Sequence, residues 1–297
     1  MQFAVVLPSF GPPARDPAVQ SRLRDVAEAA DELGYHVVFT AEHLIYPQEI
    51  RTPYPYGGRF PYAVTDPVLD VPTTLAWVAA VTRHVRLGAS VMVLPYHEPI
   101  ALAKALATVD VLSGGRLMVG VASGWLREEF DLLGVPFRER GARTDEYLAV
   151  LRALWTEERV TYRGRFVRLE DAAFFPKPVQ KPHPPIWIGG SSAAALRRVG
   201  RVGDGWLAVP RAPAELASDV ATIRREAEAA GRDPSRIGVA ASGGARSVAE
   251  LLDRIPALER AGATIVTVPA LFWAASVPQA IDLMDEFASR ADLERRE

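Results

Sequence analysis

The stretch PPIWIGGSSAAALRRVGRVGDGW, Pro184 to Trp206, carries the most information about this chain. Ile186, Trp187 and Ile188 read as a short buried strand. Gly189 and Gly190 break it, and Ser191 and Ser192 open a helix carrying Ala195, Leu196 and Val199 on one face. A strand feeding such a turn leaves backbone N–H groups free at the helix N-terminus, where the helix dipole adds partial positive charge. The turn is therefore able to hold a phosphate. The same residues equally suit a plain helix start, because serine is a preferred N-cap. The rest of the chain has to decide.

The strand–helix unit recurs on both sides. Phe3–Leu7 reads as a strand, followed by a helix with Asp16 as N-cap, Pro17 at its first position and Gly34 at its end. Val19, Leu23, Val26, Ala30 and Leu33 form its apolar face. Further strands are expected at 36–39, 85–90, 116–121, 205–208, 236–240 and 263–267, with helices near 73–81, 99–112, 139–155 and 213–230. Capping boxes, Ser247 with Glu250 and Ser276 with Gln279, open the last two helices. Eight such units without a composition break predict an α/β fold, a single (β/α)8 TIM barrel spanning 1–297. A doubly wound open sheet is the alternative.

Two segments exceed a bare barrel. One is an insertion after strand two, His43–Asp70, rich in proline and aromatics. The other follows strand four, Val160–Pro185, where TYRGRFVRL reads as a hairpin turning at Gly164 before a Pro-rich run. Loops this long in a compact domain are usually functional or disordered. The first leaves the C-terminal end of a strand, which places it at the barrel mouth, where active sites sit.

Composition excludes several classes. A net charge of −2 offers no electrostatic case for nucleic acid or an anionic membrane. The absence of cysteine removes disulfides, thiolate chemistry and cysteine zinc sites. Met1–Leu7 lacks a basic region before its apolar run and meets Pro8 early, so it reads as a first strand; with no apolar run of membrane-spanning length, a cytoplasmic protein is expected. The only lysines are Lys104, inside a helix, and Lys177 and Lys181, in the Pro-rich loop. None is placed for Schiff-base chemistry at a barrel mouth, which argues against an aldolase or phosphate-using isomerase.

Candidate chemistry gathers at three strand ends. FTAEHL, Phe39–Leu44, brings His43, with Glu42 beside it, to the start of the mouth loop. A histidine there is able to shuttle a proton near neutral pH, or simply to anchor the loop. No other histidine has metal-ligand spacing, so no metal site is expected. In RLGASVMVLPYHEP, Gly88, Ala89 and Ser90 are small where a barrel core favours Val or Leu; they admit a flat ligand or reflect tight packing. In LSGGRLMVGVASGW, Gly120, Ser123 and Gly124 line the exit of strand four, and Trp125 offers a large flat surface. Those glycines also serve as turn punctuation.

Together these segments resemble the bacterial luciferase-like superfamily of flavin and deazaflavin oxidoreductases. The likeness covers nearly the whole chain and is densest in AKALATVDVLSGGRLMVGVASGW, DLLGVPFRERGARTDEYLAVLRALW and PKPVQKPHPPIWIGGSSAAALRRVGRVGDGW. Within that superfamily the chain is most similar to the branch using the 5-deazaflavin coenzyme F420, FMN being the alternative cofactor. The resemblance implies a (β/α)8 barrel binding its cofactor at the mouth and a homodimer acting on a small-molecule substrate. It makes Gly189, Gly190, Ser191 and Ser192 a cofactor phosphate site. His43 becomes the active-site histidine that exchanges a proton with substrate, and Glu42 the second catalytic candidate, an acidic neighbour beside the cofactor ring. Ser90–Val91 matches a strand-three bulge that holds a non-prolyl cis peptide behind the ring, and Gly124 and Trp125 also fall in the cofactor site.

One departure bears on substrate. Relatives that oxidise sugar phosphates carry a carboxylate directly after the strand-four glycine, where this chain has Trp125, and their phosphate-gripping lysines have no counterpart. A sugar-phosphate dehydrogenase is therefore not expected. Tyr46, Tyr54, Tyr56, Phe60 and Tyr62 suggest an apolar or aromatic substrate pocket, or loop packing on the barrel. The leading expectation is an F420-dependent oxidoreductase. Its rivals are an FMN-dependent monooxygenase using reduced flavin and O2, and a cofactor-binding barrel without catalysis.

Overall fold

Short strands that are apolar on both faces bury both only when they pair in parallel beneath a coat of helices. In the computed structural model, which describes residues 1–296, that is the arrangement. The strands are β1 (Gln2–Val6), β2 (Val37–Thr40), β3 (Arg86–Ala89), β4 (Met92–Val93), β5 (Leu117–Ala122), β6 (Val160–Arg163), β7 (Arg168–Ala172), β8 (Ile186–Gly189), β9 (Gly205–Leu207), β10 (Gly238–Ser242) and β11 (Ile265–Val268). The helices are α1 (Val19–Glu32), α2 (Val71–Val81), α3 (Pro99–Leu112), α4 (Arg127–Leu132), α5 (Arg140–Thr156), α6 (Ala193–Val202), α7 (Pro213–Ala229), α8 (Val248–Arg260), α9 (Ala270–Trp273) and α10 (Val277–Arg290).

Parallel pairing runs β1–β2–β3–β5–β8–β9–β10–β11 and returns to β1, closing a (β/α)8 barrel. β4 continues the β3 position against β5, and β6–β7 is the antiparallel hairpin read around Gly164. The barrel interior is filled by Ala4, Val37, Phe39, Met118, Trp187, Leu207, Ala240 and Ile265. Their neighbours along each strand, such as Val5, Val38 and Ile188, join the larger layer between sheet and helices. Trp187 is the largest interior side chain, and a Cβ added at Gly238 would stand 2.5 Å from its ring. At Gly88 a Cβ would stand 2.7 Å from Phe39, so tight packing explains that small residue.

Several local expectations shift. Asp16 does not cap α1; its carboxylate accepts from Ala18 N at 2.8 Å, Pro17 lies in a turn and the helix starts at Val19. Pro12–Arg15 forms a separate 3-10 turn, which displaces the cap. The strand expected at 236–240 begins at Gly238, because Asp233 caps a 3-10 turn over Pro234–Arg236. Strand three is interrupted at Ser90–Val91, and α4 has no counterpart in the sequence reading. Lys104, Lys177 and Lys181 all donate to backbone carbonyls of the Pro-rich run or the end of α5, away from the mouth. Among the described residues no helix is long and apolar enough to cross a membrane.

Candidate active site

The C-terminal ends of the strands surround a cavity of about 730 Å3. Glu42, His43, Ser90, Val91, Gly124, Trp125, Gly189, Gly190, Ser191 and Ser192 all line it. The Ser242-Gly243-Gly244 turn after β10 lies instead on a separate cavity of about 530 Å3. Phe272 and Trp273 line neither: Phe272 is exposed, and the Trp273 indole donates to Ala245 O at 2.9 Å.

One end of the mouth cavity is built for an anion. Ser192 caps α6, its Oγ accepting from Ala195 N at 3.2 Å. The N–H groups of Ser191, Ser192, Ala193 and Ala194 have no partner among the described residues. Gly190 has φ +110°, a conformation that suits glycine, and its carbonyl accepts from Trp206 Nε1 at 2.8 Å. Arg138, Arg140 and Arg198 also line the cavity. Arg198 pairs with Asp145 at 2.6 Å and reaches Gly141 O, whereas Arg138 and Arg140 have no carboxylate partner among the described residues. Burial and the neighbouring Arg127 push the Arg140 guanidinium below its usual value.

The middle of the cavity is narrow in one place. The Ser90–Val91 peptide is cis, and a Cβ added at Gly189 would stand 2.8 Å from Val91 Cγ1. Glycine at 189 is thus what lets the end of β8 lie against the interruption of strand three.

At the other end His43 stands among aromatic rings. Its centroid lies 4.7 Å from Tyr46, 5.4 Å from Phe60 and 6.4 Å from Trp125, and Tyr54 lies 5.3 Å from Trp125. Tyr56, Tyr62 and Phe10 complete the wall. The aromatic loop therefore lines the cavity as well as packing on itself. Burial pushes the Tyr62 phenol up to about 12 and raises Tyr46 and Tyr54 as well, so these hydroxyls are protonated near neutral pH.

Adjacent Glu42 and His43 reach in opposite directions, each into a glutamate–histidine pair. The buried Glu42 carboxylate accepts from Val93 N at 2.6 Å and meets His97 Nε2 at 3.0 Å, so it is committed to the strand-three segment. His43 Nδ1 lies 2.7 Å from Oε2 of Glu129, a fully buried residue of α4. Sequence reasoning missed Glu129. The only signal was the acidic pair in LREEFDLL, which reads as an ordinary helix first turn favoured by the dipole.

The family described as luciferase-like monooxygenase matches residues 1–250. An F420-dependent glucose-6-phosphate dehydrogenase of Nakamurella multipartita is 34% identical over 221 residues, 71% of this chain and 59% of its own. An FMNH2-dependent dimethylsulfone monooxygenase of Pseudomonas putida is 37% identical over 163 residues, 54% of this chain and 44% of its own. The crystal structure of the monooxygenase RslO1 from Streptomyces bottropensis superposes with a TM-score of 0.81 at 27% identity, covering 97% of this chain and 98% of that one. The barrel, the arrangement of its mouth and these matches agree: this chain belongs to the luciferase-like monooxygenase family.

Proposed function

We propose that this protein is an F420-dependent oxidoreductase that moves a hydride between the deazaflavin and a neutral, largely apolar organic substrate. The observation that carries this reading is one continuous cavity with backbone donors that have no partner among the described residues at one end and a histidine ringed by aromatics at the other. The residues fit a long planar cofactor with a phosphate, since the α6 N-terminus offers four open N–H groups and Gly189 keeps the middle clear of a Cβ. When bound, the cofactor supplies the redox chemistry.

The chain supplies the rest. Ser191, Ser192 and Ala194, which line the cavity at the α6 N-terminus, would hold the phosphate, and Arg138 and Arg140 add positive charge around it. Val91 and Gly189 shape the middle of the cavity, the part that would take a flat cofactor ring. His43 takes or gives the proton that accompanies hydride transfer, and the aromatic loop excludes water from that step. Glu42 does not face the reacting atoms in this reading; it secures the segment that carries Ser90 and Val91. At the His43 end Glu42 and Glu129 are already paired with histidines, and the cavity lining includes no lysine. That favours an uncharged substrate, and an aromatic or polycyclic one suits the ring-lined wall.

Titrating the protein separately with F420 and FMN tests the assignment. Quenching of tryptophan fluorescence by F420 at micromolar concentration, with weaker FMN binding, is the expected result. Tight FMN binding with no F420 binding would overturn it in favour of an FMN-dependent monooxygenase, the reading that likeness to the dimethylsulfone enzyme and RslO1 supports. His43→Ala separates catalysis from binding: turnover falls by about 100-fold or more while cofactor affinity changes little. Unchanged turnover would show that His43 only anchors the loop, and cofactor binding without turnover by the wild-type protein would indicate a cofactor-binding barrel.

A further inference from the structure

We propose that Glu129 is a positioning residue for His43, holding the imidazole in its Nδ1–H form so that Nε2 is the atom that exchanges a proton with substrate. This rests on the reading of His43 as the proton-handling group. The evidence is the set of groups around the Glu129 carboxylate. Oε1 accepts from Leu44 N at 2.8 Å and from Ile45 N at 3.3 Å. Oε2 meets the Tyr96 hydroxyl at 3.0 Å and His43 Nδ1 at 2.7 Å.

Two of these partners are backbone amides, which only donate. Tyr96 also donates, because burial and then the Glu129 charge push its phenol far up. A carboxylate side chain with no exposed surface that satisfies three donors is an acceptor for the fourth as well. The hydrogen between Glu129 and His43 is therefore carried by Nδ1. Neutral His43 then presents a bare Nε2, for which no protein partner is present among the described residues. A bound deazaflavin would supply the hydride acceptor; in the oxidising direction Nε2 takes the proton that the substrate loses, and the resulting imidazolium faces the Glu129 carboxylate. In the reducing direction Nε2–H returns that proton. The bonds to Leu44 and Ile45 hold the backbone beyond the ring, so one buried side chain sets both where His43 stands and which nitrogen it offers. Its neighbour Glu128 fastens the same loop further along, accepting from Arg51 N at 3.0 Å and Thr52 N at 2.9 Å.

Glu129→Gln changes the logic with almost no change of shape. Its amide oxygen replaces Oε1 for the Leu44 and Ile45 amides, which places an NH2 group opposite His43. That group donates, Nδ1 becomes the acceptor, and the proton moves to Nε2.

The test combines 15N NMR of histidine-labelled protein with steady-state kinetics, the His43 signals being assigned by their loss in His43→Gln. Wild-type protein in which neutral His43 carries its proton on Nδ1 is the expected result. In Glu129→Gln the two nitrogen signatures exchange, kcat falls by about 100-fold or more, and KM and cofactor affinity stay within about threefold. A wild-type spectrum with the proton on Nε2 overturns the proposal, even if Glu129→Gln fails to fold. So does a folded Glu129→Gln that keeps Nδ1–H, or one whose kcat stays within about threefold of wild type. Absence of wild-type turnover with either cofactor would remove the oxidoreductase reading instead, and is seen separately from the tautomer of the resting protein.

Discussion

The indole N–H of Trp206, a fully buried residue, donates to the carbonyl of Gly190 at 2.8 Å. This bond ties the middle of β9 to the turn after β8 and gives the Gly190 carbonyl a partner, leaving the N–H groups of the turn to face the cavity. Trp206→Phe removes the donor and is expected to destabilise the fold by about 1–3 kcal/mol in urea unfolding. It should also weaken binding of a phosphate-bearing cofactor more than that of a phosphate-free analogue. Equal loss for both would disconnect Trp206 from the phosphate turn.

Gly189 is predicted to be intolerant of even one added carbon. In Gly189→Ala the new Cβ would stand 2.8 Å from Val91 Cγ1, forcing the end of β8 away from the strand-three interruption. Overpacking of this kind costs about 1–3 kcal/mol. Cofactor affinity measured by fluorescence should fall by about tenfold, the equivalent of about 1.4 kcal/mol. An alanine variant that binds normally would show that the ring does not sit over this contact.

Arg138 and Arg140 should matter through charge rather than shape. The double variant Arg138→Glu/Arg140→Glu is expected to lower affinity for an anionic cofactor by about tenfold or more at low salt, the gap narrowing as ionic strength rises. Affinity for a phosphate-free analogue should change far less. A salt-independent loss, equal for both ligands, would point to misfolding around Phe137, against which the Arg140 guanidinium stacks at 3.9 Å.

His36 is predicted to make the fold sensitive to acid. Burial, then the nearby charges of Arg86 and Arg296, lower its pKa to about 4 from the ordinary 6.5. Above pH 6.5 the side chain is neutral folded and unfolded, and its effect on stability is constant. Between pH 6.5 and 4 the unfolded chain binds the proton and the folded one does not, so stability falls as pH falls. The partial exposure of His36 to solvent screens these charges, and the loss attributable to this residue is on the order of 2 kcal/mol across that window. His36→Gln should flatten that part of the profile in urea unfolding at pH 7 and pH 4.5; parallel profiles for the two proteins would assign the acid loss to carboxylates.

The barrel was legible because its signals are local. Strand–helix units carry their own apolar runs, glycine breaks and caps; the Ser247 and Ser276 caps stand where serine and its third neighbour mark them, and Ser192 where the Gly-Gly-Ser-Ser turn opens its helix. At Pro12–Arg15 and Pro234–Arg236 a competing local device moved the boundary. The glycines were ambiguous in sequence for a physical reason. A glycine marks a missing side chain, and what fills the space comes from elsewhere: Phe39 at Gly88, Trp187 at Gly238 and Val91 at Gly189.

By itself the sequence determined the number of units, the parallel barrel and the residues brought to its mouth, since period, breaks and caps act over a few residues. Tertiary structure alone decided how adjacent Glu42 and His43 divide: one carboxylate goes to His97 and the strand-three segment, while the ring takes Glu129 from 86 positions away. A side chain's partner depends on which chain segments closure of the barrel brings within hydrogen-bond reach, and no local pattern encodes that distance.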